Sequence, residues 1–159
     1  KKNATSATRI DGIYKAMTPP FTITAKLTAS TIRADFARAG IFIGLATPGD
    51  IETCAIVHVN ASSVFRAEVL DMTDPTTFNA TVATADVFPT GTGSRSWYLR
   101  IVATSSTDVT YQYSHDGYFW RNITANRNPG FTIGSAGLFV NPQNASNDIE
   151  AVFDWVRFS

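Results

Sequence analysis

The sequence predicts an all-β protein, with two antiparallel sheets stacked as a sandwich or jelly roll, on three observations. Apolar and polar residues alternate with period two in segment after segment, as in Phe21-Thr22-Ile23-Thr24-Ala25-Lys26-Leu27-Thr28, the pattern of strands with one face on a core. Turn residues punctuate the chain at short intervals. No window carries an apolar stripe of helical period and length. Short strands with regular turns are how such sandwiches read.

Strand candidates follow Phe21–Thr28 in order: Gly40–Ala46, Thr53–Val59, Val64–Leu70, Trp97–Thr104, Val109–Ser114, Phe119–Thr124, Gly137–Val140 and Ile149–Phe158. Turn signals separate them at Pro19-Pro20, Thr47-Pro48-Gly49-Asp50, Asn60-Ala61-Ser62-Ser63, Asp74-Pro75, Gly91-Thr92-Gly93, Asn128-Pro129-Gly130 and Asn141-Pro142. Asp116-Gly117 is the strongest short hairpin signal, because a tight turn there needs the positive φ that glycine takes freely. The chain has 159 residues, one domain's worth, enough to bury a core without disulfide or metal staples. We expect residues 1–8 to be a polar tail or linker remnant and residues 9–159 to form a single domain. Starting at Lys1-Lys2-Asn3, without initiator Met or apolar signal region, the chain looks like a segment of something larger.

Composition narrows the function. Lys+Arg and Asp+Glu each number 13, so the basic excess of a general nucleic-acid binder is missing. No apolar run approaches the roughly 18–20 residues of a membrane-spanning helix. Cys54 is the single cysteine and sits in an apolar stretch, where it reads as a small buried hydrophobe. His58, four residues on along a strand, would lie about 13 Å away at ~3.3 Å per residue, too far to activate a thiolate. Cys54 with His58 and His115 offers no zinc or cluster spacing. No G-x-S-x-G elbow is present.

Alternation assigns faces. Trp97, Leu99 and Ile101 share one side of their strand, with Tyr98, Arg100 and Val102 on the other. Tyr111 and Tyr113 oppose Gln112 and Ser114, while Phe65, Ala67 and Val69 oppose Arg66 and Glu68. For the segment at 53–60, the core side reads as Ala55, Val57 and Val59, leaving Ile56 and His58 outward. If these strands share a sheet, one outer surface gathers Phe42, His58, Arg66, Glu68, Tyr98, Arg100 and Gln112. Aromatic residues are 12% of the chain, and aromatic faces with planar polar groups suit sugar rings. Tyr98, Arg100, Gln112, His58, Arg66 and Tyr118 are the candidate ligand residues, with Phe42, Trp120 and Phe119 as further aromatic candidates. Trp97 and Trp155 read as core.

The segment WYLRIVATSSTDVTYQYSHDGYFW (97–120) resembles the W-x-L-R-I…Y-x-Y-S-x-D-G-x-x-W pattern of laminin-G-like, concanavalin A-like sandwich domains. Such domains occur beside bacterial glycosidases and in phage tail and fibre proteins. Phe131–Phe139 is similar to their G-x-x-G-L strand, and Phe153-Asp154-Trp155-Val156-Arg157-Phe158 to their closing F-D-W/Y-V/F-R-V. The resemblance implies a concanavalin A-like jelly roll and two function classes. The first is a non-catalytic carbohydrate-binding module holding a larger secreted or virion-surface protein on a glycan or cell-surface polysaccharide. The second is a structural domain of a phage tail, fibre or capsid, homo-oligomeric or docked on other domains of its parent polypeptide. An extracellular or virion-surface location is expected with either.

Glycosidases on this fold carry E-x-D-x-x-E, whose alternate positions bring two carboxyl groups about 5–5.5 Å apart for retaining chemistry. The three glutamates here, Glu52, Glu68 and Glu150, head no such motif. Glu68 and Asp71, three apart, fall on opposite strand faces. The resemblance further implies one structural calcium ion, held by Asp154 and the backbone carbonyl of Gly40, a chemically reasonable set for a hard cation. An Asp satisfied by backbone N–H groups or a neighbouring Arg is the alternative. Five N-x-S/T sequons (Asn3, Asn60, Asn79, Asn122, Asn144) exceed the roughly 1.9 that composition supplies by chance. They suit a secreted eukaryotic protein or a Thr/Asn-rich bacterial or viral surface domain.

Overall fold

A computed structural model of the chain describes residues 10–29, 36–47, 49–59, 64–89, 96–142 and 150–159. Their strands run β1 (Asp11–Ala16), β2 (Phe21–Ala29), β3 (Arg38–Gly44), β4 (Ile51–Val59), β5 (Val64–Asp74), β6 (Thr77–Pro89), β7 (Ser96–Ser105), β8 (Asp108–Ser114), β9 (Arg121–Arg127), β10 (Ser135–Asn141) and β11 (Ala151–Phe158). They form a six-stranded sheet, β1-β10-β3-β4-β5-β6, and a five-stranded sheet, β11-β2-β7-β8-β9. Every neighbouring pair is antiparallel. The expected tail at 1–8, the turns at 60–63 and 91–93 and the sequons at Asn3, Asn60 and Asn144 lie outside the described residues.

The two sheets bury a shared core between them. The five-stranded sheet supplies Ile23, Ala25, Leu27, Trp97, Leu99, Ile101, Val109 and Tyr111, and the facing sheet Ala39, Ile41, Ile43, Cys54, Ile56, Ala67 and Val69. Strand alternation produces this directly on β7, where buried and half-buried residues alternate from Trp97 to Ala103. Each large side chain so buried contributes ~1.5–3 kcal/mol. The last strand returns to an early one, as jelly-roll connectivity requires. β11 pairs with β2, and Ser159 and Thr22 exchange backbone hydrogen bonds of 2.6 and 3.0 Å.

Several expectations are corrected. β1 and β6 have no counterpart among the predicted strands. β6 lies at a sheet edge and most of its described residues from 77 to 85 are exposed or half-buried, so it needs little of the apolar alternation that marks a strand. On β4 the faces are reversed: Cys54 and Ile56 enter the inter-sheet core, while Ala55 joins a smaller cluster on the outer face with Phe42, Met72 and Phe139. All nine β4 residues are buried, so both sides of this central strand are apolar enough to read as core. The Asp116-Gly117 hairpin does join β8 to β9, but by six residues (115–120), so β9 begins at Arg121 rather than Phe119.

The last correction lies in β11. Phe153 pairs with Leu27, yet Trp155 pairs with Lys26, a register shift of one residue at Asp154. Such a bulge resets the parity of a strand. Phe153 and Phe158 both pack on the core, five residues apart, while Trp155 turns outward and is 38% exposed. Trp97 is core as expected, and Trp155 is not.

Candidate functional site: a groove on the outer face of the five-stranded sheet

The register of the five-stranded sheet sets two rows of outward side chains across its strands. One row reads Arg157 (β11), Thr24 (β2), Arg100 (β7), Gln112 (β8) and Asn122 (β9). The next reads Trp155, Lys26, Tyr98 and Ser114. With strands ~4.8 Å apart, the backbones bearing Arg157 and Arg100 are roughly 10 Å apart, with Thr24 between them. The loop 115–120 rises beside these rows and closes a groove of about 430 Å³. Tyr98, Trp155 and Trp120 supply its aromatic walls, Arg100, Arg157 and Thr24 its polar floor, and Asp116, Gly117 and Tyr118 its rim.

The loop is built by Asp116. Its Oδ1 accepts the backbone N–H of Tyr118 at 2.8 Å and of Phe119 at 2.9 Å, and the Ser114 hydroxyl at 2.9 Å. Ser114 Oγ in turn accepts the N–H of Gly117 at 2.9 Å. These backbone donors, Phe119 first, hold the Asp116 carboxyl below the usual range. The sign follows: a lowered folded-state pKa stabilises the loop at neutral pH, and that contribution is lost as pH falls through the lowered value. With its backbone fixed this way, the loop carries Tyr118 and Phe119 at 84% and 81% exposure. Tyr118 faces the groove, whereas Phe119 lines the far side of the loop with Tyr113, His115 and Arg121.

Gly117 has φ +79°, and a Cβ there would come within 3.0 Å of the Tyr98 ring. Gly117→Val should therefore cost on the order of 1–3 kcal/mol in stability through backbone strain, read as a shift of the urea midpoint. It should also push Tyr98 out of place in the groove. An unchanged midpoint would mean that the loop is not held in this conformation.

The polar groups are aligned by their neighbours. Arg100 lies with its guanidinium carbon 4.0 Å from the centre of the Trp120 ring and donates from Nε to Gln112 Oε1 at 2.7 Å. Gln112 Nε2 donates onward to Asn122 Oδ1 at 2.8 Å, which fixes the amide's orientation. Partial burial lowers the Arg100 pKa, but a guanidinium remains cationic at any working pH. Arg157 covers Trp155 at 5.4 Å, and Trp155 tilts against Tyr98 with centroids 6.1 Å apart. Lys26 Nζ and Asp154 Oδ2 are 2.6 Å apart, and this pairing raises the lysine pKa.

The predicted site residues divide between places. Tyr98, Arg100, Gln112 and Tyr118 come together around the groove. His58 and Arg66 do not join them, because β4 and β5 belong to the other sheet. His58 is 8% exposed, tilted against Phe65 at 5.5 Å, on the inner side of β4. Arg66 lies on the outer face of the six-stranded sheet, as does Glu68, which forms a buried ion pair with Arg38 at 2.7 Å. Phe42 is buried on that face too, edge-on to Phe139. The shared outer surface expected from alternation is thus two surfaces on opposite sides of the sandwich.

Asp154 and Gly40, expected together, lie on different sheets. Asp154 lies on the edge strand of one sheet with its carboxylate on Lys26, and Gly40 lies mid-strand in the other. A Cβ at Gly40 would overlap the Cys54 carbonyl oxygen, so close strand packing accounts for the glycine. Among the described residues no group of three or more His, Cys, Asp or Glu could hold a metal ion. Cys54 is fully buried, and burial pushes its thiol pKa up.

Thr24, Trp155 and Arg157 are the groove residues that alternation missed. Strict alternation through Phe153 would send Arg157 into the core beside Phe153 and Trp155. That conflict, a charged residue on the apolar face, was the one available signal of the bulge.

No family model matches the chain, and no curated protein matches it. Among solved structures it is similar to the GH43 protein BlXynB of Bacillus licheniformis, at 17% identity and a TM-score of 0.67 over 87% of this chain and 27% of that one. It is also similar to a double mutant of congerin II, at 12% identity and a TM-score of 0.61 over 94% of this chain and 100% of that one. Congerin II liganded by lactose and MES matches at 12% identity and a TM-score of 0.60, with the same coverage. The chain spans about a quarter of the BlXynB length and the whole of congerin II. At such identities the likeness is one of fold, and that fold is the concanavalin A-like jelly-roll sandwich.

Proposed function

We propose that this chain is a non-catalytic glycan-binding module of a larger secreted or virion-surface protein, and that the groove is its site. One observation carries the reading: aromatic faces and hydrogen-bonded planar groups converge in a single open groove on a rigid sheet. Sugar rings need this pairing, apolar faces for their C–H surfaces and fixed polar groups for their hydroxyls. Two comparisons support it. Lactose is a ligand of congerin II, and BlXynB carries this fold as a fraction of a longer chain. The non-catalytic part of the reading draws on the glutamates: Glu52 and Glu68 are themselves buried and committed to ion pairs with arginines.

Arg100→Ala should weaken binding about tenfold, as loss of a charge-assisted contact does. It should change stability by no more than ~0.5 kcal/mol, because Arg100 faces away from the core. Affinity electrophoresis in plant, algal and bacterial polysaccharides measures the first, and urea denaturation the second. Silence across the whole panel would overturn the glycan reading.

A second reading, a domain docked on other parts of its parent, draws on a different place. Ile13 and Tyr14 on β1 are 72% and 63% exposed and flank a shallow apolar cavity with Val156 and Phe158. Apolar surface of this kind suits contact with another domain.

A further inference from the structure

Resting on the glycan reading, we infer that the groove takes acidic glycans, saccharides bearing carboxylate or sulfate groups. The pairing of its charges points to an anion. Among the described residues, no carboxylate pairs with either arginine of the groove. Arg100 spends its Nε on the neutral amide of Gln112 and its face on Trp120. Among the described residues, the Arg157 side chain meets the Trp155 ring. The nearby acids are already committed: Asp116 to the loop's N–H groups and Ser114, Asp154 to Lys26. Elsewhere the same chain pairs arginines with acids, the buried Arg38 with Glu68 and the half-buried Arg127 with Glu52. The groove therefore presents two guanidinium groups in one row whose forked donors await an anion.

A guanidinium recognises carboxylate and sulfate alike through paired N–H donors, and its stacking on an aromatic ring holds that fork in place. A neutral sugar could use the aromatic walls but would leave both arginines without an acceptor of matching charge. With Thr24 between them, the arginines sit two strands apart, so an extended chain can meet one at each of two acidic residues.

The test is isothermal titration of the whole chain with polygalacturonate and with the same polymer carboxyl-reduced to its neutral form. κ-Carrageenan and its desulfated form make the equivalent sulfate pair, and polyglutamate tests charge without sugar. At least one acidic polymer should bind about tenfold tighter than its neutral counterpart, the ratio one charge-assisted hydrogen bond supplies. Arg157→Gln should cut that ratio several-fold, and its melting temperature reports whether the fold is intact. Neutral forms binding as tightly as acidic ones would overturn this inference while leaving the glycan reading standing. Equal binding of polyglutamate, or a ratio untouched in Arg157→Gln, would overturn it as well. No binding by any saccharide would overturn both.

Discussion

Glu52→Ala should lower the unfolding free energy by about 3–5 kcal/mol, the cost of removing one partner from a buried charged network. Glu52 is fully buried on the inner face of β4 and reaches across to the facing sheet. Its carboxylate accepts the Tyr111 hydroxyl at 2.5 Å and, from Arg127, Nε at 2.8 Å and Nη2 at 2.7 Å. Without it, the Tyr111 hydroxyl is left at zero exposure with its acceptor gone, and Arg127 loses its counter-charge. Burial first, then the negative charge of Glu52, raises the Tyr111 pKa well above the ordinary value, so the hydroxyl stays a donor throughout the working pH range. Glu52→Gln keeps an acceptor for Tyr111 and should cost less. Urea denaturation of the two variants checks the order, and equal losses would mean that the charge of Glu52 alone matters and that a retained acceptor for Tyr111 contributes nothing.

Trp97→Ala should cost about 3–5 kcal/mol, as large aromatic truncations in a core do. Trp97 is 1% exposed and sits at the end of the core where Phe65 and His115 meet its ring, at 6.0 and 5.5 Å. His115 leans in turn on Tyr113 at 5.5 Å, so the indole also anchors the start of the 115–120 loop. The variant should lose glycan binding beyond its loss of stability, because the loop forms the rim of the groove. A midpoint shift below ~1 kcal/mol would show that the indole is not a core element.

How much of this was legible depended on how each strand is buried. On β7 and β8 one side meets the core and the other the groove, so alternation placed Tyr98, Arg100, Leu99, Ile101, Tyr111 and Gln112 correctly. Cys54 was legible for the same reason that β4 was not: a run of small apolar residues is buried whichever way it faces. On β4 that ambiguity reversed the faces and put the inward-facing His58 on the outer face of its strand. Alternation also says nothing about which sheet a strand joins, so Arg66 was grouped with groove residues that lie across the sandwich. In β11 the bulge at Asp154 changed the parity midway, turning Trp155 and Arg157 into groove residues and Asp154 into the partner of Lys26. The Asp116-Gly117 pair announced a turn, but its length was set by the Asp116 carboxylate capping Tyr118 and Phe119. Those hydrogen bonds have no signature in the order of residues.

The claim that the groove binds glycan is tested most directly by the tryptophan indole N–H signals during titration with a bound oligosaccharide. The three tryptophans divide cleanly: Trp97 is buried between the sheets, while Trp120 and Trp155 line the groove. The account predicts that the Trp120 and Trp155 signals move and the Trp97 signal does not, with backbone shifts at Gly117 and Tyr118. Shifts confined to Arg66, Glu68 and their neighbours, on the opposite face of the sandwich, would contradict it.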